Sequence, residues 1–152
     1  MNLLLESPAS VPYFTDVAGT LRDLGIDARD FDWFLSDAET NSHHDGDALT
    51  GWWTGGELAD LLAPVGLQFI WGVFSAFTPG TRMEVAEPPY ADGNASYWRG
   101  GQSLRPALPG ALFELVCWDS EATLLIGLDE RQAQHYVNAH PDARPLMPSS
   151  TS

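Results

Sequence analysis

The segment "LQFIWGVFSAF", residues 67–77, is the most hydrophobic run in the chain and constrains the fold more than any other. β-Branched and aromatic residues dominate it and Gly72 lies inside it, a composition typical of a strand. A strand with apolar side chains at successive positions has to be covered on both faces. The segment therefore predicts a central strand of a sheet that is packed on both sides.

Two further segments predict strands of the same sheet. In "FDWFLSD", residues 31–37, the side chains of Phe31, Trp33 and Leu35 fall on one face of a strand, and a polar end follows. In "ALFELVCWDSEATLLIGLD", residues 111–129, two apolar runs flank Asp119 and Ser120. That pattern is typical of an antiparallel hairpin.

Three segments predict helices. Residues 11–25 carry apolar side chains at helical spacing, and Gly25 fits the position after a helix end. A second helix begins with a capping box, in which Thr54 and Glu57 satisfy each other's backbone amides. The third helix begins with the same arrangement of Asp129 and Gln132.

A short strand is predicted at residues 83–86. The region of residues 87–110 that follows is rich in Pro, Gly, Asn and Ser and predicts long loops, with one edge strand near Tyr97. Together these patterns predict an α+β fold, with one mixed or mainly antiparallel sheet of about four to six strands packed by about three helices. We expect a single domain over residues 1–145 and a flexible tail at 146–152.

The charge of the chain indicates its partners. There are 21 acidic residues against seven basic ones, all of them arginine, and the net charge is −14. Such a surface repels nucleic acid and anionic membranes and attracts basic proteins over a long range. The charge therefore predicts a basic protein partner, no nucleic acid and no membrane, with a role in solubility alone as the alternative.

Cysteine content and hydropathy indicate the compartment. Cys117 is the single cysteine, which excludes an internal disulfide framework and a thiolate zinc site. It lies in an apolar run, where a buried thiol is expected. The first residues lack the basic stretch of a signal peptide, and no stretch reaches the roughly 20 apolar residues of a membrane span. These features predict a cytoplasmic protein.

Candidate catalytic and metal-binding groups lack the required spacing. The segment "SHHDGD" contains His43, His44, Asp45 and Asp47, but adjacent histidines in a strand or coil point apart, and the acids lack EF-hand spacing. The chain also has no nucleophile elbow and no lysine for a P-loop. We expect no metal, no cofactor and no enzymatic activity.

One enzymatic alternative is an acid/base pair formed by Asp37 and Glu39. It requires both carboxyl groups to line one pocket and one of them to have a raised pKa.

Six tryptophans are distributed along the chain. Trp33, Trp71 and Trp118 lie in predicted strands and are expected in the core. The other three lie in turns and loops, where exposed tryptophan is typical of protein interfaces; the alternative is a hydrophobic cap over the sheet edge. The predicted partner surface combines them with the acids of the polar strand end and loop: Asp37, Glu39, Asp45, Asp47, Trp52, Trp53 and Trp98.

Four segments resemble a small family of uncharacterised bacterial single-domain proteins: "FDWFLSDAE", "LTGWWTGGELADLL", "LQFIWGVFSAF" and "FELVCWDSEATLLIGLDERQAQ". The shared features are a strand ending in aromatic-Asp/Asn-Trp-aromatic-aliphatic-Ser-Asp/Asn-x-Glu, a helix opening with Gly-Glu, and a hairpin with an acidic turn. The resemblance spans roughly residues 14–140, and this chain departs from it in the loop-rich region 87–110 and in lacking lysine. It implies the α+β fold and no particular activity.

Small acidic α+β proteins are frequent among bacterial immunity proteins, which neutralise a toxin encoded beside them. We therefore expect a non-catalytic acidic binding protein, most concretely an immunity protein for a basic toxin. The alternative is an accessory domain that self-associates or binds a small ligand in a tryptophan-lined cleft.

Overall fold

The computed structural model describes residues 1–6, 15–41 and 46–148, with the backbone alone described at 46 and 47. Within them, seven strands form one antiparallel sheet. They are β1 Leu3–Glu6, β2 Asp32–Thr40, β3 Gly51–Trp53, β4 Phe69–Phe77, β5 Phe113–Trp118, β6 Ala122–Ile126 and β7 Arg144–Pro145. Their spatial order is β3-β2-β4-β5-β6-β1-β7.

The hydrophobic segment that predicts a central strand forms β4, which pairs with β2 on one side and β5 on the other. Phe74 and Ala76 pack into the core on one face, while Val73 and Phe77 pack on the opposite face. Both faces of β4 are therefore covered, as its continuous apolar composition requires.

The predicted α+β class, the antiparallel sheet and the three helices are confirmed, but the strand number is seven rather than four to six. The strands that the sequence did not predict are β1, β3 and β7, of four, three and two residues. Strands this short carry too little alternation to be recognised, and their pairing partners make them strands. Both predicted strands of this region are wrong: residues 83–86 belong to no strand or helix, and Tyr97 lies in a 3₁₀ helix, Ala95–Trp98.

Helices α1 Val17–Asp23, α2 Gly55–Leu62 and α3 Glu130–Ala139 pack on one face of the sheet. Both predicted capping boxes are present at the starts of α2 and α3. Helix α1 is shorter than predicted because it begins after the N-cap Asp16, whose side chain accepts from the Gly19 amide. Residues 11–14 of the predicted helix lie outside the described residues.

The opposite face of the sheet is covered by residues 78–112, which we call the cover segment. It contains 3₁₀ helices but no strand, and its Ala91, Tyr97 and Leu108 are buried against the sheet. The predicted loop-rich character of this region is therefore correct. In this fold, helices cover one face of the sheet and loops cover the other.

Polar side chains of the sheet hold the cover segment in place. Asp32 accepts a hydrogen bond from the Gly80 amide at 3.1 Å. The Ser36 hydroxyl donates to the carbonyl of Pro89 at 2.7 Å. The side-chain amide of Asn2, just before β1, donates to the carbonyls of Gly101 and Leu104 at 2.9 and 3.0 Å. Backbone groups of a loop that is packed against a sheet need such partners, because burial removes them from water.

The packed structure extends one residue past the predicted domain boundary at 145. Leu146 is fully buried and its amide donates to the carbonyl of Asn2 at 2.9 Å. The predicted flexible tail therefore does not begin at 146. Met147 and Pro148 are exposed, and residues 149–152 lie outside the described residues.

Candidate functional site

The end of the sheet where β2 and β5 terminate concentrates exposed acidic residues, and we call it the acidic sheet end. It consists of Glu39 on β2, Asp119 and Glu121 at the β5–β6 turn, and Asp92 on the cover segment. All four residues are exposed. They come from three distant parts of the chain, so the fold creates this cluster.

A bulge near the end of β2 places the first of these acids. The pairing of β2 with β4 shifts register between Ser36 and Glu39, which returns Glu39 to a position directly opposite Trp71. Asp37 lies in the bulge with a φ of 49°, a left-handed conformation that Asp tolerates better than most residues.

The side chain of Asp37 joins the bulge to the cover segment. One of its carboxylate oxygens accepts hydrogen bonds from the amides of Ala91 and Asp92, both at 2.9 Å. This pair of bonds places Asp92 beside the end of β2. Asp37 therefore has a structural role, and its carboxylate is already engaged by the protein itself.

The β5–β6 turn supplies the other two acids. Asp119 and Ser120 have φ values of 50° and 57°, the two positive values that a tight hairpin turn of type I′ requires. The Ser120 amide donates to the carbonyl of Ile70 at 2.9 Å, which holds the turn against the start of β4. Asp119 and Glu121 remain exposed on either side of this bond.

Three tryptophans lie together at the same end, and we call them the tryptophan patch. Trp71 on β4 and Trp98 on the cover segment each pack edge-to-face against Trp118 on β5, with ring centroids 5.1 and 5.2 Å apart. Each of the three is partly exposed. Trp33 is in the core as predicted, but Trp71 and Trp118 are at its margin.

The indole nitrogens divide the six tryptophans into two groups. Those of Trp33, Trp52 and Trp53 donate to backbone carbonyls at 2.9, 3.0 and 2.9 Å. The indole nitrogens of the tryptophan patch have no partner within the described part of the chain. Among the described residues, Ser75 Oγ is the single buried polar side-chain atom that has no hydrogen-bond partner. The unpartnered indole nitrogens of the patch are therefore not buried, and they reach solvent.

The charges of the acidic sheet end are not neutralised by the rest of the described chain. The ion pairs there join Arg29 to Asp27, Arg82 to Asp32, His140 to Asp23 and Arg144 to Glu6. None of them involves an acid of the sheet end. Arg99, next to Trp98 in sequence, is exposed and forms no ion pair with the residues described.

The structure brings together some of the predicted surface residues and separates the others. Glu39 and Trp98 lie at the acidic sheet end with Asp37 beside them. Trp52 lies on β3, where it packs against Phe77 and under Arg82. Trp53, the next residue, packs on the helical face of the sheet.

The loop acids of the predicted surface cannot be placed in the same way. Asp45 lies outside the described residues, as does the side chain of Asp47. Their place in a partner surface stays a prediction.

Sequence reasoning missed five residues of this end: Trp71, Trp118, Asp92, Asp119 and Glu121. The two tryptophans have the sequence pattern of core strand residues, and only their position at the strand ends exposes them. The two acids of the β5–β6 turn could have been found from the predicted hairpin, because a tight turn between two strands lies at the surface. Asp92 had no signal, because its position depends on how the cover segment crosses the sheet.

A buried carboxyl group lies further along the same face of the sheet. Glu114 on β5 is fully buried, and it accepts hydrogen bonds from the Tyr97 hydroxyl at 2.7 Å and the Ala107 amide at 2.8 Å. Burial raises the pKa of Glu114, an effect that these two bonds oppose. Ser75 lies directly across from it on β4. This cluster joins the cover segment to the middle of the sheet.

Among the described residues, grooves on the helical side lie between α1 and α2 and along α3. The first has a volume of about 660 Å³ and the second a volume of about 460 Å³. Neither has a tryptophan or an acid of the sheet end among its lining residues. Neither groove is thus the tryptophan-lined cleft of the alternative hypothesis.

The positions of the carboxyl groups and histidines bear on two earlier hypotheses, the acid/base pair and the metal site. The carboxylate of Asp37 is bound to amides and Glu39 is exposed, so the two do not form a buried pair. Among the residues that the structure describes, no group of three or more His, Cys, Asp or Glu side chains could hold a metal ion. The histidines of "SHHDGD" are outside that set. Burial raises the pKa of the Cys117 thiol, as expected for an inert core cysteine.

Comparisons with known proteins give no family for the chain. No protein-family model matches it, and no curated protein or solved structure is significantly similar. In the described ranges, no helix is long and apolar enough to cross a membrane.

Proposed function

We propose that this protein is a non-catalytic acidic binding protein that docks a basic protein partner at the acidic sheet end. In the most concrete form of this proposal it is an immunity protein that neutralises a bacterial toxin. The observation that carries the proposal is the combination, on one end of the sheet, of a partly exposed tryptophan patch and four exposed acids that form no ion pair with the described residues.

The two components contribute to binding in different ways. Unpaired surface carboxylates attract a basic partner and raise the association rate, an effect that salt screens. Tryptophan is among the residues that contribute most binding energy once an interface closes and water leaves. A surface with both properties can find a basic partner quickly and hold it.

The rigid surroundings of the site also support binding. Hydrogen bonds of 2.9 Å fix each part of the site: two backbone amides of the cover segment donate to the Asp37 carboxylate in the bulge, and the Ser120 amide of the hairpin turn donates to the Ile70 carbonyl. A surface that is ordered before binding loses little conformational entropy when the partner docks. The acids and indoles are therefore presented in a defined arrangement.

The test is capture of a partner followed by a protection assay. The immobilised protein is incubated with lysate of the native organism at low and moderate salt, and the captured protein is identified and expressed in cells. We expect a basic protein that is held more weakly at moderate salt, is toxic when expressed alone, and is neutralised by co-expression of this chain.

Charge-reversal variants show whether the acidic sheet end is responsible. The triple variant Glu39→Lys, Asp119→Lys, Glu121→Lys should lose protection. A control variant with the same change in net charge, Asp60→Lys, Glu84→Lys, Asp142→Lys, changes exposed acids elsewhere and should still protect. Equal protection by both variants would show that the proposed docking surface is wrong.

The second candidate function is a self-associating or ligand-binding accessory domain. The groove between α1 and α2 favours it, because alanine, leucine and isoleucine side chains line much of it. A molecular mass in solution above that of the 16.6 kDa monomer, with no captured partner at either salt concentration, would support this candidate instead.

A further inference from the structure

The tryptophan patch is an apolar surface, and the groups around it indicate which kind of ligand binds there. Its indole nitrogens reach solvent, whereas those of the other three tryptophans are bound to the protein's own backbone. Two edge-to-face contacts hold the three rings together. In an edge-to-face pair, the ring that presents its edge keeps its own π-face free of that partner.

The acids beside the patch determine the charge of its occupant. Glu39 is the direct cross-strand neighbour of Trp71, and such neighbours have Cβ atoms about 4.5–5.5 Å apart. Asp119 follows Trp118 directly in the turn. A group that lies on these indoles is thus next to two carboxylates that form no ion pair with any described residue, so a cationic group fits best.

We propose that the tryptophan patch, with Glu39 and Asp119 beside it, recognises an arginine side chain of the basic partner. A guanidinium is planar, weakly hydrated and able to stack on an indole while it donates two parallel hydrogen bonds to a carboxylate. A lysine ammonium is a compact and strongly hydrated charge, which loses more hydration on an aromatic surface. This proposal rests on the proposed function for the identity of the partner, but not for the chemistry of the surface.

The test uses two blocked heptapeptides, Gly-Arg-Gly-Arg-Gly-Arg-Gly and the same sequence with lysine in place of arginine. Each is titrated into the ¹⁵N-labelled full chain at low salt, and the six indole N–H resonances are followed after assignment by single Trp→Phe variants. We expect the arginine peptide to shift the resonances of Trp71, Trp98 and Trp118. The resonances of Trp33, Trp52 and Trp53 serve as internal controls and should stay unchanged, because their N–H groups are bound within the protein.

Affinities from the same titrations provide the second readout. The arginine peptide should bind about threefold more tightly than the lysine peptide, because the guanidinium loses less hydration than the ammonium when it lies on an indole. Glu39→Gln should weaken binding of the arginine peptide about threefold, as expected for one surface ion pair. The matched variant Glu84→Gln, also an exposed glutamate but on the cover segment near Trp52, should leave it unchanged.

Three outcomes would overturn the inference. They are equal binding of the two peptides, shifts at all six indoles or at Trp52 and Trp53 alone, and no binding of the arginine peptide. None of them bears on whether a basic protein is captured from lysate, so the proposed function fails or stands separately. Conversely, the arginine peptide could shift the three resonances while the lysate test yields no toxic protein. That result would support arginine recognition and contradict the immunity role.

Discussion

At the scale of single residues, the least expected feature is a glutamate in the middle of the sheet. Glu114 occupies a position that alternation assigns to the core, and it is fully buried. Its two hydrogen bonds go to two separate points of the cover segment, Tyr97 and Ala107. A leucine there would avoid the cost of burying a carboxyl group but would leave the Ala107 amide without its partner.

The raised pKa of Glu114 leads to a pH-dependent stability that the variant Glu114→Gln should abolish. The folded-state pKa lies above that of the unfolded chain, so protonation favours the fold. This contribution is complete below the unfolded-state pKa and is lost as the pH rises through the folded-state pKa. Urea unfolding from acidic to neutral pH should therefore show wild type losing stability relative to Glu114→Gln as the pH rises. A constant difference between the two proteins would mean that Glu114 does not titrate in this range.

At the scale of elements, the unusual feature is a face of the sheet that is covered by loops. The cover segment has no strand to pair with the sheet, so side chains of β2 and β5, together with that of Asn2 before β1, form hydrogen bonds to it. These side chains lie along the strands and hold the segment at several points. The segment in turn carries Trp98 and Asp92 to the acidic sheet end, which links its anchoring to the composition of the proposed binding surface.

Replacing Asp37 tests this anchoring. Asp37→Ala removes the acceptor of two amide hydrogen bonds and places alanine at a φ of 49°. We expect the free energy of unfolding to fall by about 2–4 kcal/mol, from two lost bonds to a charged group and left-handed strain. Asp37→Asn keeps a side-chain oxygen and tolerates this conformation, so its loss should be about 1 kcal/mol. Equal losses for both variants in urea unfolding would show that the two amides do not depend on the carboxylate.

At the scale of the whole molecule, the net charge of −14 affects both stability and binding. Carboxylates repel one another across the surface, and this repulsion destabilises the compact state. The ion pairs of the described chain are few and mostly at the surface, where such pairs contribute little. Repulsion should therefore outweigh attraction in the effect of salt on folding.

We expect moderate sodium chloride to raise the urea midpoint of unfolding relative to low salt, because a Debye length of about 10 Å at 0.1 M screens the repulsion. The same salt should weaken binding of a basic partner. Loss of partner binding at moderate salt can then be assigned to the interface rather than to unfolding. A midpoint that falls with salt would show that ion pairs dominate instead.

Much of the fold could be predicted because the sequence patterns of these elements depend on residues close together in the chain, and the tertiary structure preserves them. The apolar run of β4, the hairpin of β5 and β6 and the capping boxes of α2 and α3 each depend on neighbours in sequence. The short strands β1, β3 and β7 could not be predicted, since long-range pairing alone makes them strands. The surface that we propose for binding contains two of the residues predicted for it, Glu39 and Trp98, and does not contain Trp52 or Trp53; their part in binding stays a prediction.

The sequence by itself determined the α+β class, the sign of the charge and the presence of surplus tryptophan, because these follow from composition and short-range periodicity. The tertiary structure decided which residues meet. Strand order brings the ends of β2 and β5 together with the starts of β4 and β6, and the cover segment adds Trp98 and Asp92 to that end. Contacts between residues far apart in sequence depend on the packing of the whole chain, so local patterns could indicate single residues of this surface but not which residues come together in it.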